Sequence, residues 1–304
     1  MKMKKFIAVL ATVAMVAGLA VGCGGGSDSG SDEGGSGSSS DFDSSMDITI
    51  VSREDGSGTR GAFIELFGVQ EEVDGEDVDM TTEEAQITNS TSVMLTTVAG
   101  DDYAIGYVSL GSLDDSVKAV KIDGAEATAD NVKSGDYKVS RPFNIATKTD
   151  MNNPTATDFI SFIMSEEGQA VVAEEGYIPL DGVEAYAGDA PAGDVVVGGS
   201  SSVSPVMEKL IEAYAEVNPN ANIELQTTDS TTGMENAISG SYDIGMASRE
   251  VKEEELAGGL EAQVIATDGI AVIVNNNNPV EDLSSDQVKA IYTGEALTWD
   301  EVAE

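Results

Sequence analysis

The sequence predicts an α/β fold, and three junctions of one design predict it. At each, a short β-like apolar run passes through a turn of glycine, serine and threonine into a segment with helical apolar spacing. The first junction is Ser52 to Phe63, reading Ser-Arg-Glu-Asp-Gly-Ser-Gly-Thr-Arg-Gly-Ala-Phe. It follows Ile48, Ile50 and Val51 and leads into Ala62, Phe63, Leu66 and Phe67. A strand turning into a helix there leaves backbone N–H groups at the positive end of the helix dipole. Glycine lets a ligand approach the backbone and the hydroxyls add donors, which is the chemistry of an oxyanion site. The chain has four arginines, Arg53, Arg60, Arg141 and Arg249, and two of them lie in this one segment.

Ahead of these elements, Lys2, Lys4 and Lys5 precede an almost wholly apolar run from Phe6 to Val21, which closes Leu19-Ala20-Val21-Gly22-Cys23. Residues 1–22 read as a secretory signal and stay outside the fold. Cys23 is the single cysteine, which excludes a disulfide framework and a cysteine-based metal site. Its setting is similar to the bacterial lipoprotein processing site, so Cys23 is the expected point of lipidation. Residues 23–46 are Gly, Ser and Asp with almost nothing apolar, the composition of a flexible tether. Two or three acyl chains at Cys23 would hold the protein stably on the extracytoplasmic face of the cell membrane, which one chain would not.

About 258 residues remain from 47 to 304, enough for two medium domains. A second junction runs from Val195-Val196-Val197 through Gly198-Gly199-Ser200-Ser201-Ser202-Val203 to Ser204-Pro205. Ser204 is the expected N-cap and Pro205 the first helical residue. Val206, Met207, Leu210, Ile211 and Tyr214 continue that helix, which should stop near Asn218-Pro219. The third junction carries the Ile223-Glu224-Leu225-Gln226 strand into Thr227-Thr228-Asp229-Ser230-Thr231-Thr232-Gly233, with Thr232 and Glu235 as an expected capping box. Asn89-Ser90-Thr91-Ser92, before Val93-Met94-Leu95, could make a fourth junction or a plain helix cap. Tyr242 to Arg249 looks like a short buried strand ending in a polar turn.

Fifteen basic residues face 55 acidic ones, giving a net charge of −40, and loss of the signal lysines would make it three units more negative. Nucleic acid and anionic membrane headgroups are poor partners for such a surface. A local ring of donors can nonetheless hold an anion, because charges beyond about 8 Å are screened at physiological salt. With no histidine in the chain, a Ser-His-Asp arrangement and a histidine metal site are excluded. Ser57 in Gly-Ser-Gly has no evident base beside it. No cofactor is expected.

Taken together, Ser52 to Phe63, Ala104 to Tyr107, Val197 to Pro205, Ser230 to Gly233, Asp243 to Glu250, Asp268 to Asn275 and Gln287 to Trp299 resemble the signature stretches of the phosphate-binding proteins of ABC importers (the PstS family). The likeness extends from about residue 47 to 304, but in rotated order. In the family, the segment matching Val195 to Glu304 comes first and the one matching Asp47 to Leu180 follows. The chain therefore resembles a circular permutant rejoined through Tyr186 to Gly193, a rearrangement tolerated where folded termini lie close together.

The resemblance implies a two-lobe, type II periplasmic-binding-protein-like α/β fold with a hinge of two crossover strands. Lobe A would comprise 47–139 plus 276–304 and lobe B 140–275, with crossovers near Val274 to Pro279 and near Val139 to Ile145. Arg141 would then be a structural hinge residue. The family's anion contacts fall on Arg53, Ser57, Gly58 and Thr59 from one lobe, and on Ser201, Ser202 and Ser230 from the other, with Thr231 close by. Asp55 matches the aspartate that orients the binding arginine. Many family members carry an aspartate where this chain has Ser248, followed by Arg249, and that aspartate accepts the proton of bound phosphate. Asp229 is the alternative acceptor here.

The implied function is capture of inorganic phosphate, without catalysis, by a lipid-anchored monomer that delivers it to an ABC permease. A receptor for another tetrahedral oxyanion such as sulfate stands beside it. A lipid-anchored phosphoesterase would turn over its ligand, and an adhesin would bind no small anion.

Overall fold

A computed structural model describes residues 42–302; the signal segment, Cys23 and the tether up to residue 41 lie outside the described residues. The β-like runs became strands because their branched side chains are buried on both faces. In chain order, the strands that matter here are β1 (Thr49–Arg53), β2 (Gln86–Thr88), β3 (Ala104–Ser109), β4 (Val117–Ala119) and β5 (Ser140–Lys148). They continue with β6 (Gly193–Ser200), β7 (Ala221–Thr228), β8 (Ile244–Ala247) and β9 (Leu260–Asn275). Among the described residues these nine form one sheet in the order β7-β6-β8-β5-β9-β3-β1-β2, with β4 pairing β9. The parallel pairs β1–β2, β1–β3, β6–β7 and β6–β8 flank antiparallel pairs made by β5 and β9.

β9 holds the two halves together. Leu260 to Gly269 pairs with β5, and Ile270 to Val274 pairs with β3. The side chains change core at the same place. Ile270, Val272 and Val274 pack with Ile50, Phe63, Tyr107, Tyr292 and Trp299, whereas Ile265 and Ala266 pack with Phe143, Val195, Val197, Leu210 and Met246. Two apolar cores joined by one continuous strand give the two lobes.

The crossover in β9 therefore falls at Gly269–Ile270, not at Val274 to Pro279, and residues 270–275 belong with lobe A. The sequence misled because this run is apolar at every position: Ala271 and Ile273 face a separate cluster with Val51, Met94 and Val98 on the opposite face of the sheet. Along β5 and the residue before it, Val139 joins the first core and Phe143 the second.

Four helices follow strands at the expected junctions: α1 (Gly58–Leu66), α2 (Thr91–Ala99), α3 (Ser204–Val217) and α4 (Ser230–Ser239). Two caps differ from expectation. In α3, Val203 holds the cap position in helical conformation and Ser204 is already inside the helix, its hydroxyl donating to Ser200 O at 3.2 Å. In α4, Asp229 caps instead of Thr232, accepting from Thr232 N at 2.9 Å and from its hydroxyl. A carboxylate is the better partner for N–H groups at the positive end of a helix, so the helix starts one turn earlier than the Thr232–Glu235 pair suggested.

The chain ends of the described region lie side by side. Asp47 bridges Thr298, Ile48 N donates to Leu297 O at 2.8 Å, and Asp300 N donates to Ser44 O at 2.8 Å. The Tyr186 to Gly193 segment is pinned to lobe B. Tyr186 OH and Asp189 N donate to the buried Asp158 carboxylate at 2.6 and 3.0 Å, and Asn218 Nδ2 donates to Pro191 O at 2.9 Å.

Candidate functional site

The site is built where the three junctions and a fourth meet between the lobes. Arg53 closes β1 with its side chain only 2% exposed. Its backbone N–H donates to Tyr107 OH at 3.2 Å, and that hydroxyl is bonded to Ser52 Oγ at 2.9 Å. Burial pushes the Tyr107 phenol up to about 12, so it stays a neutral strut. The guanidinium is gripped by Glu54, with Nε and Nη2 each 2.8 Å from a carboxylate oxygen, and Nη2 also reaches Ser201 Oγ on the opposite lobe at 3.1 Å.

This corrects the expected role of Asp55. Its side chain is fully exposed and pairs with Arg60 at 2.9 Å, while Glu54 is the carboxylate that orients Arg53. The turn that starts after Glu54 carries Asp55 outward to its tip, whereas the neighbouring Glu54 is long enough to fold back along the guanidinium.

Around Arg53 the hydroxyls interlock across the cleft. Thr59 Oγ1 lies 2.8 Å from Ser202 Oγ. Ser200 Oγ donates to Ser248 Oγ at 2.9 Å, and Ser248 N donates to Ser230 Oγ at 3.1 Å. Thr91, first residue of α2, sits 3.3 Å from Ser201 Oγ and 3.2 Å from Ser202 Oγ through its own hydroxyl. All are buried. Gly58 makes the approach possible, because a Cβ there would stand 2.3 Å from Ser230 Oγ and 2.8 Å from Ser248 Oγ. The starts of α1, α2 and α4 contribute first-turn N–H groups that have no partner within their own helices.

Of the expected contacts, the structure gathers Arg53, Gly58, Thr59, Ser201, Ser202, Ser230 and Ser248 into this cluster. It leaves two at the rim. Ser57 turns its hydroxyl to cap α1, accepting from Arg60 N at 3.3 Å. Thr231 turns to Gly56 O and to Arg249, which is itself forked onto Glu255. Asp229, with both oxygens engaged by Thr232, is a helix cap rather than a proton acceptor for the cluster. Arg141 is walled in at the hinge, bonded to Asp268 at 3.1 and 3.2 Å.

Buried hydroxyls, helix starts and one restrained guanidinium gathered in this way offer a small oxyanion direct hydrogen-bond donors. The PBP superfamily domain matches residues 36–167 and 184–304. Phosphate-binding protein PstS 2 of Streptococcus agalactiae serotype V is 52% identical over 305 residues, covering all of both chains. The chain belongs to the PstS family. A PstS 2 from Streptococcus pneumoniae serotype 4 is 42% identical across 84% of this chain and 87% of its own length. The crystal structure of a phosphate-binding protein of a phosphate ABC transporter from the same species, strain TIGR4, has a TM-score of 0.67 at 42% identity, covering 84% of this chain and 99% of the other. PstS of Staphylococcus haemolyticus matches at 42% identity over only 111 residues, about a third of either chain.

As a PstS family member the chain has the two-lobe, type II binding-protein fold that its two cores display. Three residues of this cluster were missed by sequence reasoning. Ser200 and Thr91 lay inside hydroxyl-rich turns already marked as junctions, so their signal was present. Glu54 had none, because a carboxylate directly after an arginine looks no different from one two places on.

Proposed function

We propose that this protein is an extracytoplasmic receptor that captures inorganic phosphate between its lobes and delivers it to an ABC importer. The observation that carries the reading is the convergence on Arg53 of hydroxyls from both lobes, Thr59 and Thr91 from one and Ser201 and Ser202 from the other, with Ser230 and Ser248 closing the wall. Arg53 supplies charge-assisted donors to anion oxygens, and the hydroxyls supply groups that can either donate or accept. That versatility replaces the missing aspartate: Ser248 can accept the proton of hydrogen phosphate without placing a second charge beside the ligand. The same property lowers the penalty for sulfate, which a carboxylate would repel.

Anchoring through acyl chains on Cys23 fits the basic and apolar segment before it, and among the described residues no helix is long and apolar enough to cross a membrane. The permuted order is supported by the adjacent ends at Asp47 and Thr298, by the docked Tyr186 to Gly193 segment, and by the staphylococcal PstS matching only one continuous third. The end-to-end match to the Streptococcus agalactiae relative implies that the order is shared within a branch of the family.

Calorimetric titration of protein stripped of bound anion, first with phosphate and then with sulfate, tests the reading. One-to-one phosphate binding is expected, with sulfate measurable but weaker. Absence of heat with phosphate from a folded sample would defeat it.

A further inference from the structure

The rim of the cleft carries a hydrogen-bond chain that touches none of the groups around Arg53. Gly56 O, in the turn before α1, accepts from Thr231 N and from Thr231 Oγ1, each at 3.2 Å, across the gap between lobes. Thr231 Oγ1 accepts from Arg249 Nη2 at 3.2 Å, and Arg249 is held in place by Glu255 at 2.7 and 2.9 Å. Glu255 is anchored in turn by Lys252 N at 2.8 Å. Gly56 has φ +84, and a Cβ on it would lie 2.6 Å from Asp229 Oδ1 and 3.3 Å from Thr231 Cβ. No other residue at 56 could meet the opposite lobe this closely. Beside the chain is a cavity of about 290 Å³, with Asp55, Asp77 and Asp79 on one wall, where Arg60 pairs with Asp55 and Asp79, and with Arg249 and Lys252 on the other.

We propose that Gly56, Thr231 and Arg249 form a clasp whose opening sets the rate of ligand release, which makes Thr231 and Arg249 positioning residues rather than ligand contacts. The proposal rests on the phosphate-receptor reading and assigns these positions to release, not recognition. Its bonds form only when the lobes close, so they favour the closed state whichever anion is inside. Opening must break a carbonyl's two hydrogen bonds at once and return charged rim groups to water.

Stopped-flow release of phosphate from the full protein tests this, using Thr231→Val, which deletes the hydroxyl but keeps the N–H, and Gly56→Ala, which obstructs the contact. Thr231→Val should release phosphate about 3- to 10-fold faster, as expected for losing one hydrogen bond assisted by a charged neighbour. Arg249→Met should move release in the same direction, Gly56→Ala should exceed both, and association should stay within about twofold for all three. Wild-type release rates in Thr231→Val and Gly56→Ala would overturn the clasp. Should the wild-type protein bind no phosphate, the receptor reading fails by itself. Small-angle scattering of the ligand-free proteins then decides the clasp: a larger radius of gyration in Gly56→Ala supports it, and equal radii refute it.

Discussion

Arg53 and Arg141 are both buried guanidiniums with a carboxylate partner, yet one reaches a hydroxyl of the opposite lobe and the other ties two strands together. Their side chains are equally hidden, at 2% exposure each. The partners differ. Glu54 is adjacent in sequence and 19% exposed, whereas Asp268 comes from another strand and is fully buried, accepting also from Ser109 Oγ at 2.8 Å and Leu110 N at 3.2 Å. A neighbour-supplied carboxylate restrains Arg53 without tying two elements together, and the Arg53 Nη2 also donates to Ser201 Oγ of the opposite lobe. The strand-to-strand pair at Arg141 rivets β5 to β9 beside the point where β9 changes lobe. Burial depth does not separate these two arginines; what each carboxylate is attached to does.

Arg141→Met would strand Asp268 as an uncompensated buried carboxylate and should cost about 3–5 kcal/mol of unfolding free energy at neutral pH. Denaturant titration measures it, and a loss below about 1 kcal/mol would mean the pair is not a rivet. Arg53→Met should show the opposite profile. Phosphate affinity should fall by about 2–5 kcal/mol, as when a buried charged partner is truncated, while stability changes by less than about 1 kcal/mol because Glu54 can take up water. Equal loss of stability in both variants would erase the distinction.

Burial pushes Asp268 up to about 6, against the pull of Arg141 and its hydrogen bonds. Since the folded value lies above the ordinary carboxylate value of about 4, the stability gained from its proton is complete below about pH 4. That contribution is lost as pH rises through 6. Removing Arg141 raises the folded value further, so the penalty of Arg141→Met should shrink as pH falls from 7 through about 6 and level off once Asp268 is protonated in both proteins. Melting curves of the two proteins across that range check it, and a penalty independent of pH would count against the assignment.

Much of this was legible in the sequence, for identifiable reasons. The junctions at Ser57–Gly58, Ser202–Pro205 and Asp229–Thr232 were visible because strand, turn and helix each leave a distinct periodicity, and all three converge. Residue type announced the donors but not their direction: Ser57, Thr231 and Asp229 sit in the right turns and point elsewhere, since a cap and a ligand contact use the same hydroxyls and carboxylates. The crossover in β9 was hidden because burial on both faces erases the alternation that would mark a change of partner strand. Glu54 displaced Asp55 through a difference of one side-chain methylene and one position in a turn, which no pattern reports.

One small anion is expected among Arg53, Gly58, Thr59, Ser201, Ser202, Ser230 and Ser248. The crystal structure of the phosphate complex tests it most directly. Phosphate oxygens within hydrogen-bond reach of Arg53 and of hydroxyls from both lobes are predicted, with Thr231 still bonded to Gly56 O. Phosphate bound in the rim cavity beside Arg60 and Lys252, with the Arg53 cluster unchanged, would contradict it.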